Sequence, residues 1–288
     1  MKAQLLERLD RIGQMEPPRA APVDEAAGRV GAPRLGWPRL CAVSAATLAY
    51  AAYPSAAADR ALGLACFGVA LASLLVVARA PDRAALHAPL LAVLTLAPTA
   101  VGLAAPWPLS LAAPLVVLAL LARAVPALRA SMPPLRRGSF GPAVLGWIAA
   151  IVLVSALALV LWVRLMRPDL TQMRALLPPV SLPLLLLGGL GFALFNALLE
   201  EAVFRLVFLG SLDAVTTSGW TAVLVQAAAF GLLHLRGFPS GAVGVGLAAI
   251  YAVMLGVLRR RAGGLLAPYV AHVAADLTIF ALLLTWTR

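Results

Sequence analysis

Charged side chains are scarce in this sequence. Asp, Glu, Lys and Arg make up 12% of its 288 residues, against about 25% in a typical soluble domain. Hydrophobic residues make up 62%, and the mean hydropathy is +0.94, which excludes water as the main solvent of the folded chain. Cysteine is nearly absent: Cys41 and Cys66 are the only two, and they fall near opposite ends of the first two apolar runs. That placement argues against a disulfide, and both read as small apolar residues packed in lipid or protein. Lysine occurs once against 22 arginines in an alanine-rich chain, a pattern that fits a GC-rich bacterial genome. An apolar signal-peptide core is missing too, because charges recur through residues 1–39, so the first apolar run is expected to act as the targeting signal.

Long apolar runs are what the chain has instead. A helix needs about 20 apolar residues to cross the hydrocarbon layer. Nine nearly charge-free runs approach that length: Leu40–Ala58, Ala61–Ala78, Ala84–Ala105, Trp107–Ala122, Phe140–Val163, Leu182–Phe208, Trp220–Leu235, Gly241–Leu258 and Gly264–Thr285. The expected fold class is all-α, a polytopic membrane helix bundle of eight or nine transmembrane helices. The fourth and seventh runs are short, and one of them is expected to be tilted, re-entrant or buried in the bundle.

A net charge of +11 in a soluble protein would suggest nucleic acid, but here its placement matters more. With a cytoplasmic N-terminus and nine crossings, sixteen Lys and Arg fall on cytoplasmic segments and six on the other side, leaving Arg205 inside a run. The bias predicts a multi-pass protein of a bacterial inner (plasma) membrane with its N-terminus in the cytoplasm. The lipid bilayer, not nucleic acid, is the expected partner of the basic residues. Trp37, Trp107, Trp162, Trp220 and Trp286 fall near run ends, where amphipathic rings prefer the headgroup region.

Three stretches differ in composition. Residues 1–39 are expected to form a flexible cytoplasmic tail, with Leu5, Leu6, Leu9 and Ile12 at the spacing of a short amphipathic helix and Pro, Ala, Gly and charge thereafter. Residues 40–140 hold front transmembrane helices with few polar groups; His87, one turn into its run, reads as an interfacial or packing histidine. Residues 141–288 are expected to be the working core, because from there on the ionisable residues move into the runs.

A charge at the bilayer centre costs roughly 2.5–3.5 kcal/mol on insertion scales, so intramembrane ionisable residues are candidate functional groups. The sixth run places Asn196 and Glu200 on one helical face, and Glu201 and Arg205 on a face about 100° away. On this reading Glu201 is neutralised by Arg205 and Glu200 points across the bundle. In the seventh run Phe230 and His234 are four apart, so the ring walls the imidazole. In the ninth, His272 and Asp276 share that spacing, which lets the carboxylate orient the ring. At about 1.5 Å per residue, Glu200 and His272 lie about 15 and 12 Å inside the same face and His234 about 21 Å, so convergence requires a staggered or tilted seventh helix.

A carboxylate, two imidazoles and another polar group in a low-dielectric cavity suffice to split an amide with water. Glu200 would be the general base, and an imidazole or Asp276 would stabilise the oxyanion. No Ser or Cys has a base four residues away, which favours direct water attack over an acyl-enzyme. The same residues admit other readings: buried polar pairs that fix helix register, a proton relay in a transporter, or a zinc site of Glu200, His234 and His272 with water as the fourth ligand. A transporter is disfavoured by the absence of an internal repeat.

In order on successive late runs, Glu200-Glu201-x-x-x-Arg205, Phe230-x-x-x-His234 and His272-x-x-x-Asp276 resemble the three signature motifs of the CAAX protease and bacteriocin-processing family, also called CPBP or Abi. That family includes the CAAX prenyl endopeptidases of the Ras-converting type. The resemblance covers roughly residues 180–288. It implies an intramembrane endopeptidase acting on a membrane-associated peptide or protein. By matching position Glu200 and His234 activate water, His272 with Asp276 forms the oxyanion hole, and Arg205 holds Glu201. Leu206 and Asp276 stand where the family often has Gly and Asn, and a carboxylate donates to an oxyanion only when protonated. A metal-free glutamate mechanism without a cofactor is favoured, with zinc as the alternative. A non-catalytic bacteriocin-immunity or membrane scaffold protein is the family's other expected role. Leader peptides, bacteriocin precursors or C-terminal sorting tails are more natural bacterial substrates than prenylated proteins.

Overall fold

The computed structural model describes residues 36–285, so the amphipathic helix expected near the N-terminus, most of the expected tail and Trp286 lie outside the described residues. Each of the nine apolar runs falls on a helix. These are α1 Trp37–Ala51, α2 Arg60–Ala78, α3 His87–Ala100, α4 Leu109–Ala124, α5 Pro142–Met166, α6 Leu182–Asp213, α7 Gly219–Leu233, α8 Gly241–Ala262 and α9 Leu266–Thr285. No strand occurs among the described residues, as expected where lipid offers no partner for exposed backbone groups. Five helices, α2, α5, α6, α8 and α9, are long and apolar enough to cross a membrane. The short runs give short helices, α4 of 16 residues and α7 of 15, and α1 and α3 are equally short at 15 and 14.

Local chemistry sets many of the ends. Asp59 caps α2 by accepting from the amides of Ala61 and Leu62, Ser218 caps α7 through Thr221, and proline opens α5 and α6 within the first turn. These devices satisfy or remove the orphan donors of a helix start. Gly263, at φ 68°, ends α8 in the left-handed conformation that glycine adopts without a Cβ penalty.

Helices from residues 40–140 and from residues 141–288 share a buried core. Val43, Ala46 and Tyr50 of α1 join Phe204 and Phe208 of α6 and Ala222 and Phe230 of α7 in one buried cluster. Tyr50 meets Phe204 and Phe208 edge-on at 6.2 and 4.9 Å. A second cluster unites Ile148 and Ile151 of α5, Leu255 of α8 and Ala271 of α9. Small residues allow the closest approach, a common solution where lipid supplies no hydrophobic drive between helices. A Cβ on Gly231 of α7 would meet the Val245 carbonyl at 2.6 Å and the Ala249 side chain at 2.9 Å, both on α8.

One face of the bundle is tied by polar contacts. The amides of Leu265 and Leu266 donate to the carbonyls of Arg136 and Arg137, the Ser139 amide donates to Ala262, and Arg260 pairs with Asp213. The start of α5, the ends of α6 and α8 and the start of α9 therefore lie together. Not every tryptophan behaves as an interfacial ring. Trp37 and Trp220 are exposed, but Trp162 is buried against Phe238 at 5.0 Å, because its run ends beside the loop between α7 and α8. His87 is a packing residue, buried and in contact with the Ser131 hydroxyl at 3.1 Å. Cys41 is exposed and Cys66 buried, both as free thiols.

Gly231→Val should push α7 off α8 and lower stability by about 1–3 kcal/mol. Gly246→Ala, whose added methyl meets nothing within 4 Å, should be neutral. Thermal unfolding in detergent checks both, and equal midpoints for the two variants would refute the close packing.

Candidate active site

The site is built on α6. Its first part, Leu182–Glu201, is regular α-helix, and Ala202–Phe208 then widens into a π-helical turn before α-helix resumes at Leu209. Such insertions recur at functional sites because they re-aim the side chains on either side of them. Arg205 lies in the widened turn and is wholly buried. Its Nη1 is 3.1 Å from Glu201 Oε1, and its guanidinium carbon sits 4.8 Å over the Phe230 ring and 5.9 Å over Phe204. Carboxylate and aromatic faces together surround a cation that has left water.

Glu201 does more than neutralise Arg205. Its Oε1 is also 2.7 Å from His272 Nδ1 on α9. His272 Nε2 in turn lies 3.4 Å from Glu200 Oε2 and 3.9 Å from Asp276 Oδ1. Both glutamates therefore meet the same imidazole, one at each nitrogen, although helical spacing alone assigned them separate roles. The spacing also made Asp276 the natural partner of His272, four residues away; the crossing of α6 and α9 instead gives the closest contact to Glu201. Asp276 turns to Asn196, whose Nδ2 lies 3.1 Å from Asp276 Oδ2 and 3.3 Å from Glu200 Oε1.

His234 follows the last residue of α7 and begins a 3₁₀ turn, His234–Arg236. Its Nδ1 lies 2.8 Å from the Phe230 carbonyl. A carbonyl only accepts, so Nδ1 carries the hydrogen and Nε2 of the neutral ring keeps a lone pair. The imidazole lies 4.6 Å from the Phe230 ring, centroid to centroid, as the spacing predicted. Ending α7 in a tighter turn brings His234 to the cavity despite the greater depth expected from helical rise.

Asn196, Glu200, His234, His272 and Asp276 all line one cavity of about 280 Å³. Its other walls are mainly apolar, including Val154 and Leu159 of α5, Phe192 of α6 and Met254 of α8. Two contributors escaped the sequence reading. Tyr251 of α8 lines the cavity with its ring 5.8 Å from His272 and its hydroxyl donating to the Ala271 carbonyl. Trp107, read as an interfacial ring, donates from Nε1 to Asn196 Oδ1 at 3.1 Å. No residue spacing signals a partnership across 89 positions. Among the described residues no group of three or more His, Cys, Asp or Glu side chains is already arranged as a ligand set for a metal ion.

Removing the cation should expose how far the cluster depends on it. Arg205→Ala leaves the Glu201 carboxylate buried without its countercharge, and loss of one partner of a buried pair costs about 3–5 kcal/mol. Arg205→Lys keeps the charge but not the planar stacking on Phe230, so its unfolding midpoint should fall between wild type and Arg205→Ala. A midpoint for Arg205→Ala equal to wild type would overturn this account of the cluster.

No curated protein and no solved structure matches this chain. A family model does, over residues 181–278, and its description is "Type II CAAX prenyl endopeptidase Rce1-like". The matched segment runs from the residue before α6 to just beyond Asp276, and so contains Glu200, Glu201, Arg205, His234, His272 and Asp276. The description is that of a protease family, and the apolar helices that carry the match agree with a multi-pass membrane protein. Over residues 181–278, about a third of its length, the chain is thus similar to the Rce1-like family of type II CAAX prenyl endopeptidases.

Proposed function

We propose that the protein is an intramembrane endopeptidase that hydrolyses a peptide bond of a membrane-presented substrate with water activated by Glu200 and His234. The observation that carries this reading is the convergence of two carboxylates, Glu200 and Asp276, and two imidazoles on one largely apolar cavity, with Glu201 holding His272 from behind. In lipid such groups are costly, and a cavity that excludes most water strengthens every charge interaction at a reacting carbonyl. Residues 141–288 form the catalytic core in this reading, within an inner-membrane protein of eight or nine crossings.

Glu200 removes a proton from water, whose oxygen attacks the scissile carbonyl carbon, and the carbonyl π electrons move to oxygen. His234 Nε2, with its lone pair free, accepts the water's hydrogen bond and holds it on the line of attack. His272, when it carries both protons, donates from Nε2 towards the developing oxyanion. Glu201 and Arg205 keep that ring in place. Asp276 positions Asn196 and His272 rather than donating itself. Collapse of the tetrahedral intermediate breaks the carbon–nitrogen bond, and the proton taken by Glu200 passes to the leaving amine. No step requires a metal.

The matched family's description names prenylated CAAX substrates; for this chain we favour bacterial leader peptides, bacteriocin precursors or C-terminal sorting tails, which the apolar cavity also suits. Comparing membrane proteins processed in wild-type and Glu200→Ala cells identifies the substrate. Glu200→Gln and His234→Ala should each lower cleavage by about 10²–10⁴-fold with the protein still folded and inserted. Activity retained by both variants would remove the proposed mechanism, and an absence of any processing by the wild type would leave an immunity or scaffold role. Full activity after exhaustive chelation, with no zinc in the purified protein, is expected; activity that follows zinc content would replace the glutamate mechanism by a metal one.

A further inference from the structure

We infer that Trp107 is a positioning residue for the catalytic carboxylate, acting through Asn196; this rests on the peptidase reading of the site. Trp107 lies outside the matched residues 181–278, in the segment before α4. Its ring is held by Phe192 and Phe195 of α6, at 4.8 and 6.5 Å between centroids. That contact presents the indole Nε1 to Asn196 Oδ1 at 3.1 Å.

An indole nitrogen only donates. The Asn196 atom facing it must therefore be the carboxamide oxygen, which turns the NH2 group towards Glu200 and Asp276. That one nitrogen lies 3.3 Å from Glu200 Oε1 and 3.1 Å from Asp276 Oδ2, so it bridges two carboxylates that would otherwise repel. With the amide rotated by half a turn, a carbonyl oxygen would face both carboxylates instead. Trp107 selects between the two orientations. The front segment of the chain thus reaches into the site and determines where the general base can rest.

Wild type, Trp107→Phe, Trp107→His, Asn196→Leu and the double variant Trp107→Phe/Asn196→Leu, purified in detergent, test this. Two readouts need no turnover: the ¹⁵N resonance of the Trp107 indole, assigned by its loss in Trp107→Phe, and the ¹³C resonance of the Glu200 carboxyl, assigned with Glu200→Gln. The indole resonance should move in Asn196→Leu, and the Glu200 resonance should move in Trp107→Phe. On a quenched-fluorescent prenylated CAAX peptide, Trp107→Phe should lower kcat by about tenfold, the scale of losing an outer partner that orients a catalytic group, with KM within about twofold. Trp107→His, which keeps a ring N–H, should recover part of that loss, and Trp107→Phe should add nothing in the Asn196→Leu background. An indole resonance indifferent to Asn196→Leu, or a Glu200 resonance indifferent to Trp107→Phe, overturns the inference. If wild type does not cleave this peptide, the prenylated substrate class is set aside and not the peptidase reading, and the two resonances still decide whether Trp107 positions Glu200.

Discussion

Glu201, Arg205 and His272 form a charge chain inside a helix bundle with little water to screen it, and the site is arranged around it. A buried cation with one carboxylate at 3.1 Å and aromatic faces on other sides is tolerable in a low dielectric only while each partner stays in place. Glu201 is shared: the oxygen that meets Arg205 also meets His272 Nδ1. Three helices are involved, because Phe230 of α7 covers Arg205 of α6 while His272 belongs to α9. Displacing any one of them would leave an ion without its compensation.

This constraint explains why a second glutamate next to Glu200 is needed. Glu200 approaches the other nitrogen of His272, so the imidazole is held from one side by Glu201 and meets Glu200 on the other. Adjacent residues on an α-helix diverge by about 100°, and the α6–α9 crossing places one imidazole where both can reach it. The π-helical turn that begins directly after Glu201 sets Arg205 on the far side of this arrangement, away from the cavity.

The cavity also unites parts of the chain that composition separates. Residues 40–140 are poor in polar groups, yet α1 packs on α6 and α7 and Trp107 reaches Asn196. The front helices therefore pack directly against the helices that carry the candidate site. Phe192 and Asn196, one turn apart on α6, both face the cavity; one also stacks on Trp107 and the other takes its hydrogen bond, so packing and polar contact act on the same indole.

The sequence by itself determined the solvent of this protein, its helical class, the position of each apolar helix and most of the polar residues that gather on the late helices. These follow from local quantities: scarcity of charge, run length, and pairs four residues apart that any helix brings onto one face. Glu201 with Arg205 and Phe230 with His234 were legible for that reason. Only the tertiary structure decided which faces meet. It gave His272 to both glutamates rather than chiefly to Asp276, tied Asp276 to Asn196, closed α7 with a turn that delivers His234, and brought Trp107 from 89 residues away. Helix crossings and non-local hydrogen bonds depend on how whole surfaces fit together, and no periodicity within a single helix encodes them.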